Sequence, residues 1–305
     1  MMEFLASKWR TKKIVIRLKG GLGNQLFCYA AARRLALVNN AELVIDDVTG
    51  FVRDRQYRRQ YMLDRFHIPV RKATPAERLE PFERYRRGVM KWWSRRKPFA
   101  ERRYLEQEGV DFDERLLNLK VHRTLYLDGL WQSENYFKDV EPIIRKDLQI
   151  IPPTDVLNLQ MAEQIHRHQA VAVHVRWFDA PGSEGPHNAA VDYYHRAIAL
   201  MNERIPDAHY FLFSDDPIAA RAQIPLPDHR LTSISHNQGD ENAYADLWLM
   251  SQCQHFIIAN STFSWWGAWL AENLQKQVVA PGFEIRKGKA SWGFRGLLPD
   301  RWIKL

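Results

Sequence analysis

Short apolar runs, each followed by polar turn residues and then by a stretch of helical period, recur along this chain. Lys13-Ile-Val-Ile-Arg-Leu18 predicts a strand that runs into Lys19-Gly20-Gly21-Leu22-Gly23-Asn24-Gln25. A helix follows from about Leu26 to Val38, with Leu26, Ala30 and Leu37 near helical spacing. Glu42-Leu-Val-Ile-Asp46 and Thr124-Leu-Tyr-Leu-Asp128 predict two more strands. The second half alternates more cleanly. A helix to about His168 precedes Val171-Ala-Val-His174-Val175, whose near-continuous apolar run suits a buried parallel strand. Then come a helix over Tyr193–Arg204, a strand over His209–Ser214, a helix over Asn242–Met250 and strands over His255–Ala259 and Gln277–Ala280. Strands alternating with helices predict parallel, doubly wound sheets. Ile150-Ile-Pro-Pro-Thr-Asp155 carries two prolines that stop helix and strand alike. It reads as the linker between a domain of residues 1–152 and a second of residues 153–305.

Composition narrows the class. The chain has 305 residues, 46% of them hydrophobic, enough for two domains with their own cores. No run approaches the ~18 apolar residues of a membrane span. Met1–Arg10 lacks the apolar core and cleavage site of a secretory signal. Cys28 and Cys253 stand alone in apolar sequence, which predicts buried reduced thiols and a cytoplasmic setting. A net charge of +8 points to an anionic partner: nucleotide, nucleic acid or lipid headgroup. Much of that charge lies in Arg71–Arg103, around Trp92-Trp93. The tract reads as a solvated helical face, as a patch for an anionic membrane surface, or as a nucleic-acid contact.

The candidate chemistry lies at the ends of the strands, because ligands of open α/β sheets bind outside the carboxyl ends. The strand at Val171 delivers Arg176, a fork of donors suited to phosphate or carboxylate, with Asp179 three residues on. An Arg176–Asp179 pair that merely closes a loop is the competing reading. Two further strands end in Ser214-Asp215-Asp216 and Asn260-Ser261-Thr262; if the three are neighbours, their ends share one crevice fit for a nucleoside diphosphate. The glycine turn would add backbone N–H groups at a helix N-terminus, although its spacing is neither the dinucleotide fingerprint nor a Walker loop. Asp111-Phe-Asp113 has the spacing of a metal-binding Asp-x-Asp, but Glu114 and the apolar residues after it favour a helix start capped by Asp111. Asn260-Ser261-Thr262 is also a sequon, here read as accidental. Phe263, Trp265, Trp266 and Trp269 read as core, with one ring lining the pocket.

Together these residues resemble a known family. Gly20-Gly-Leu-Gly-Asn-Gln-Leu-Phe27, Tyr61-x-Leu-Asp64-x-Phe66, Trp131-Gln-Ser-Glu-x-Tyr-Phe137, His174-Val-Arg176-x-x-Asp179, Phe213-Ser-Asp-Asp216, Asp246-Leu-x-Leu-Met-Ser251 and Ile258-Ala-Asn-Ser-Thr-Phe-Ser-Trp-Trp-Gly-Ala-Trp-Leu270 occur in the order found in bacterial α-1,2-fucosyltransferases of glycosyltransferase family eleven. The resemblance implies a GT-B fold of two Rossmann-like domains facing across a cleft, the first on the acceptor side and the second binding GDP-fucose. It implies transfer from GDP-β-L-fucose to the 2-hydroxyl of a terminal β-galactoside, with inversion, no cofactor and no metal. The donor would be held by Gly21, Gly23, Asn24, Gln25, His174, Arg176, Ser214, Asp215, Asn260, Ser261, Thr262 and Ser264. Arg176 would stabilise the leaving diphosphate, and Asp179 would orient Arg176 or the loop. Glu184 is the candidate base, on the analogy of a Gly-Thr-Glu in α-1,6-fucosyltransferases, with His187 and Asp179 as alternatives. Trp177-Phe178 and Ala180 depart from the family's usual Arg-Gly and aromatic, which leaves acceptor choice open. The expected partners are GDP-fucose and a galactose-terminated oligosaccharide, with no nucleic acid. The expected location is cytoplasmic, with peripheral contact at an anionic inner membrane left open. The rival readings are a fucosyltransferase with another sugar or a peptide as acceptor and, from another class, a basic RNA-binding protein.

Overall fold

The predicted alternation resolves into two separate parallel sheets in a computed structural model that describes residues 12–286 and 291–305. The reading of Met1–Arg10 therefore lies outside the described residues. The first sheet contains β1 (Lys13–Arg17), β2 (Glu42–Asp46), β3 (Tyr104–Glu106) and β4 (Thr124–Asp128), in the order β2-β1-β4-β3. The second contains β5 (Gln169–Val175), β6 (Ala208–Ser214), β7 (Leu231–Ser233), β8 (His255–Ile257), β9 (Val278–Ala280) and β10 (Ile303–Lys304), in the order β10-β9-β8-β5-β6-β7. Each pair of neighbouring strands is parallel. Strands β3, β7 and β10 escape sequence reading because they are two or three residues long and lack the continuous apolar run that marks the equally short β8 and β9.

Among the described residues, eight helices connect or flank the sheets: α1 (Leu22–Asn39), α2 (Glu83–Arg95), α3 (Glu141–Asp147), α4 (Val156–His166), α5 (Val191–Arg204), α6 (Pro217–Gln223), α7 (Ala243–Gln252) and α8 (Thr262–Leu270). Helix α1 begins four residues before the expected Leu26, so Gly23, Asn24 and Gln25 lie in its first turn and not in a loop. Helices α4 and α6 are N-capped by Asp155 and Asp216, whose side chains accept backbone N–H groups of the first turn. Asp155 closes the proline segment, so the chain leaves the Ile150–Asp155 stretch directly into a helix.

The two halves meet through aromatic residues. Trp265, Trp266 and Trp269 of α8 are all buried, as expected of core. Phe27 of α1 packs 4.5 Å from Trp265 and 4.9 Å from Trp266, and Phe137 stacks on Trp266 at 5.6 Å. Each indole N–H finds an acceptor: Trp266 on the Gly23 carbonyl at 2.9 Å, Trp265 on the Leu297 carbonyl at 2.9 Å and Trp269 on Glu134 at 3.2 Å. Glu134 is held in turn by both arms of Arg301, at 2.6 and 2.7 Å. The C-terminal tail thus ties the first half to the second before β10 joins the second sheet. Cys28 and Cys253 are free and buried, and burial pushes the Cys28 thiol up to about 12.

Candidate active site

Strands β8, β5 and β6 are adjacent, so the three polar strand ends do share one crevice. Arg176 leaves the end of β5, Ser214 and Asp215 end β6, and Asn260-Ser261 follows β8. These residues line a cleft of about 620 Å³ whose opposite wall is Gly20, Gly21, Gly23 and Asn24 of the first half. His174, Thr262 and Phe263 also line it.

Two helix N-termini converge on this cleft. Gly21 caps α1 without any side-chain bond, and the first turn of α1 carries no acidic residue, so its leading N–H groups are left for a ligand. Ser261 caps α8. The approach is close enough to demand glycine: a Cβ on Gly23 would lie 2.5 Å from the Thr262 carbonyl carbon. Asn24 fixes the junction, accepting from Gln132 Nε2 at 2.7 Å and from the Thr262 hydroxyl at 3.2 Å. Opposed glycine and Ser-Thr turns, both presenting N–H groups, form a seat for an anion.

Arg176 Nη1 donates to Asp215 Oδ2 at 2.9 Å, and the Trp177 N–H reaches Asp215 Oδ1 at 3.2 Å. The carboxylate that orients Arg176 is therefore Asp215, from the neighbouring strand, and of the two roles expected of Asp179 the contacts are those of the loop. Asp179 instead receives the His187 N–H at 2.9 Å and lies 3.2 Å from its ring. The loop bends Asp179 toward residues 185–188, so the Arg176–Asp179 closure gives way to these contacts. Burial raises the Asp215 carboxyl above its ordinary range, against the pull of Arg176. Burial, reinforced by Arg176, drives His174 down to about 3, so the ring is neutral. Its Nδ1 and the Asn260 side-chain oxygen are buried without a partner among the described residues, both at the cleft wall. Such polar atoms in a cleft are what a ligand would satisfy.

A family model described as Glycosyl transferase family 11 matches residues 13–284. The chain belongs to glycosyltransferase family 11. The O-antigen biosynthesis glycosyltransferase WbnK of Escherichia coli is 30% identical over 94% of this chain and 99% of its own length. An α-1,2-colitosyltransferase of Escherichia coli is 26% identical over 96% and 98%. Among solved structures, the fucosyltransferase NodZ from Bradyrhizobium superposes with a TM-score of 0.52 at 15% identity, covering 86% of this chain and 94% of its own. The two facing parallel sheets are those of a GT-B glycosyltransferase, as the resemblance implied.

Not every expected residue reaches the cleft of this glycosyltransferase. Gln25 is fully buried and braces the glycine turn from behind: its Nε2 donates to the Gly20 and Gln60 carbonyls, and its Oε1 accepts the Met62 N–H. Ser264 is also fully buried, its hydroxyl spent on the Ser261 carbonyl. Glu184 is exposed on the loop between β5 and α5 and is absent from the cleft lining, as are Asp179 and His187. The Asp-x-Asp pair is structural: Asp113, not Asp111, caps a short 3₁₀ turn at Glu114–Leu116, while Asp111 pairs with Arg286 at 2.7 Å. Asn260 is buried with its amide on the His187 carbonyl, which accords with an accidental sequon.

The cleft also holds residues that sequence reasoning passed over. Asp246 of α7 lines it, held at 2.9 Å by the Asn237 amide, and burial lifts its carboxyl to about 7. Its signal was present in the Asp246-Leu-x-Leu-Met-Ser251 motif, but a lone acid on a helix gives no hint of facing a cleft. Arg59 crosses from the first half to pair with Asp240 of the second at the cleft wall. Of the two aromatic residues that depart from the family pattern, Trp177 is buried in the second core and Phe178 lines the cleft, 5.5 Å below Arg176.

Proposed function

We propose that this enzyme transfers L-fucose from GDP-β-L-fucose to the 2-hydroxyl of a terminal β-galactoside, inverting the anomeric carbon and needing no metal. The convergence of Arg176 with the α1 and α8 N-termini on one cleft is the observation that carries this reading. In the proposal the second half, residues 153–305, binds the nucleotide and the first, residues 1–152, presents the acceptor.

Inversion requires the acceptor oxygen in line with the departing diphosphate, so positioning between the two walls supplies much of the rate. Negative charge builds on GDP as the glycosidic bond breaks. Arg176 and the N–H groups at Gly21–Asn24 and Ser261–Ser264 would stabilise that charge, doing what a divalent ion does elsewhere. Asp215 keeps the guanidinium preorganised. Ser214 and the unpartnered side-chain groups of His174 and Asn260 suit the hydroxyls of ribose or fucose. Asp246, deep in the wall, suits the N1–H and amino donors on the guanine edge, which no pyrimidine presents together.

The experiment is to offer GDP-fucose with lactose and a type 1 galactoside and to determine the product linkage by NMR. An α-1,2-fucosyl product formed in the presence of chelator supports the proposal; no product, or activity that returns only with added magnesium or manganese, refutes it. The relative named as a colitosyltransferase supports a second reading, in which the donor is GDP-colitose, and the same assay run with that donor separates the two. Stabilisation by GDP above UDP and GMP in a thermal shift favours either enzyme over an RNA-binding role, for which binding would fall steeply with salt.

A further inference from the structure

Helix α2 is built inside out. Its inward face is polar: Arg87 donates to the Thr49 hydroxyl at 2.7 Å, Lys91 pairs with Glu106 at 2.6 Å and Asp128 at 3.3 Å, and the Ser94 hydroxyl accepts the Tyr104 N–H at 3.0 Å. Its outward face carries Tyr85, Val89, Trp92 and Trp93, extended by Phe82 just before the helix. These positions fall at helical spacing and form one stripe. Phe82 and Tyr85 are 73% and 75% exposed, and Trp92 and Trp93 are 50% and 57% exposed. A surface helix ordinarily turns the opposite way, so this stripe lacks its cover.

Charge identifies the cover. Arg84, Arg86, Arg96 and Lys97 flank the stripe, and none has a carboxylate partner among the described residues. Arg96 lies 3.3 Å over the Trp92 ring, so cation and indole form one surface. A second copy docked on the same stripe would bring these cations against their equivalents, which is repulsive. Aromatic side chains with unpaired arginines beside them complement a bilayer interface bearing anionic headgroups.

We propose that α2 is a membrane-docking helix that seats the enzyme on an anionic bilayer, with Phe82, Tyr85, Trp92 and Trp93 in the interfacial layer and Arg84, Arg86 and Arg96 on lipid phosphates. Its place in the fold gives this a consequence. Glu106, Asp128 and Arg17, which anchor α2 directly or through Asp128, end strands β3, β4 and β1. Lys19, which shares Asp128 with them at 2.9 Å, leads straight into the Gly20-Gly21 turn of the cleft. The docking helix and the active cleft therefore hang from the same carboxyl ends of the first sheet.

The test is flotation of the full-length protein with phosphatidylcholine vesicles, with and without about a third phosphatidylglycerol. Binding is expected to the anionic vesicles, to weaken in high salt, and to fall at least ~10-fold in Trp92→Ala/Trp93→Ala. Arg84→Glu/Arg86→Glu should lower it further, roughly fivefold or more per charge removed. Turnover of a soluble acceptor and the melting temperature serve as controls and should stay unchanged, which separates docking from misfolding; the vesicle result stands even if the donor is not GDP-fucose. Absence of flotation on anionic vesicles overturns the proposal. So does a wild-type dimer that the tryptophan variant makes monomeric, or binding to a short RNA that vesicles cannot displace.

Discussion

Replacing Asp246 with Asn tests the cleft in two opposite directions. Burial raises this carboxyl from an ordinary 3.8 to about 7, so the folded protein binds its proton more tightly than the unfolded chain. Ionising it in the folded state therefore costs stability: nothing below about pH 4, progressively more between pH 4 and 7, and the full amount above. A rise of that size is equivalent to up to ~4 kcal/mol at pH 8. Asn keeps the oxygen that accepts from Asn237 but carries no charge. Asp246→Asn should thus melt several degrees higher than wild type at pH 8, roughly 5–10 °C, and at the same temperature at pH 4. Ligand binding should move the other way. If the ionised carboxylate pairs with the guanine edge, the loss of those charge-assisted bonds weakens GDP by roughly 10- to 100-fold. In wild type, GDP should bind more tightly as pH rises toward 7 and level off above it, with about half a proton released per GDP at pH 7. Calorimetry in two buffers of different ionisation enthalpy measures that proton. Equal stability of the two proteins at pH 8 would refute the burial argument, and unaltered GDP affinity in the variant would refute the guanine contact.

Three further perturbations address the rest of the site. Arg176→Ala should lower turnover on the order of 100- to 1,000-fold, the cost of one preorganised donor, while the melting temperature moves little; a loss under tenfold would place the diphosphate elsewhere. Gly23→Ala puts a methyl 2.5 Å from the Thr262 backbone, with neither helix start able to yield. It should cost ~1–3 kcal/mol of stability and weaken GDP by prying α1 from α8, measured by denaturant titration and calorimetry. Glu184→Gln should keep transfer within a few-fold of wild type, because Glu184 sits outside the cleft; loss of transfer with GDP affinity intact would reinstate it as the base.

Much of the fold was legible from local pattern. Strands β1, β2, β4, β5, β6, β8 and β9 announce themselves as apolar runs, and parallel pairing follows from their alternation with helices. The residues at the ends of β5, β6 and β8 were legible for the same reason, since a strand end is a position along the chain. What failed were inferences that needed to know which way a side chain turns. Asp179, three residues from Arg176, was the nearer acid in sequence, but Asp215 is the one that pairs with it because β6 lies beside β5 in register. Gln25 and Ser264 carry the polarity of ligand contacts but spend it on backbone carbonyls inside the fold. Asp246 looked like an ordinary helical acid until α7 was placed against the cleft.

Sequence alone determined the strand-helix alternation, the glycine turn, the arginine at a strand terminus and the family to which these belong, because each is written in consecutive residues. Tertiary structure alone decided that α1 and α8 abut through Gly23, that Asp215 holds Arg176, that burial poises Asp246 near neutrality and that α2 turns its aromatic residues outward. Those depend on contacts between segments far apart in the chain, whose distances and desolvation exist only once the two halves have packed.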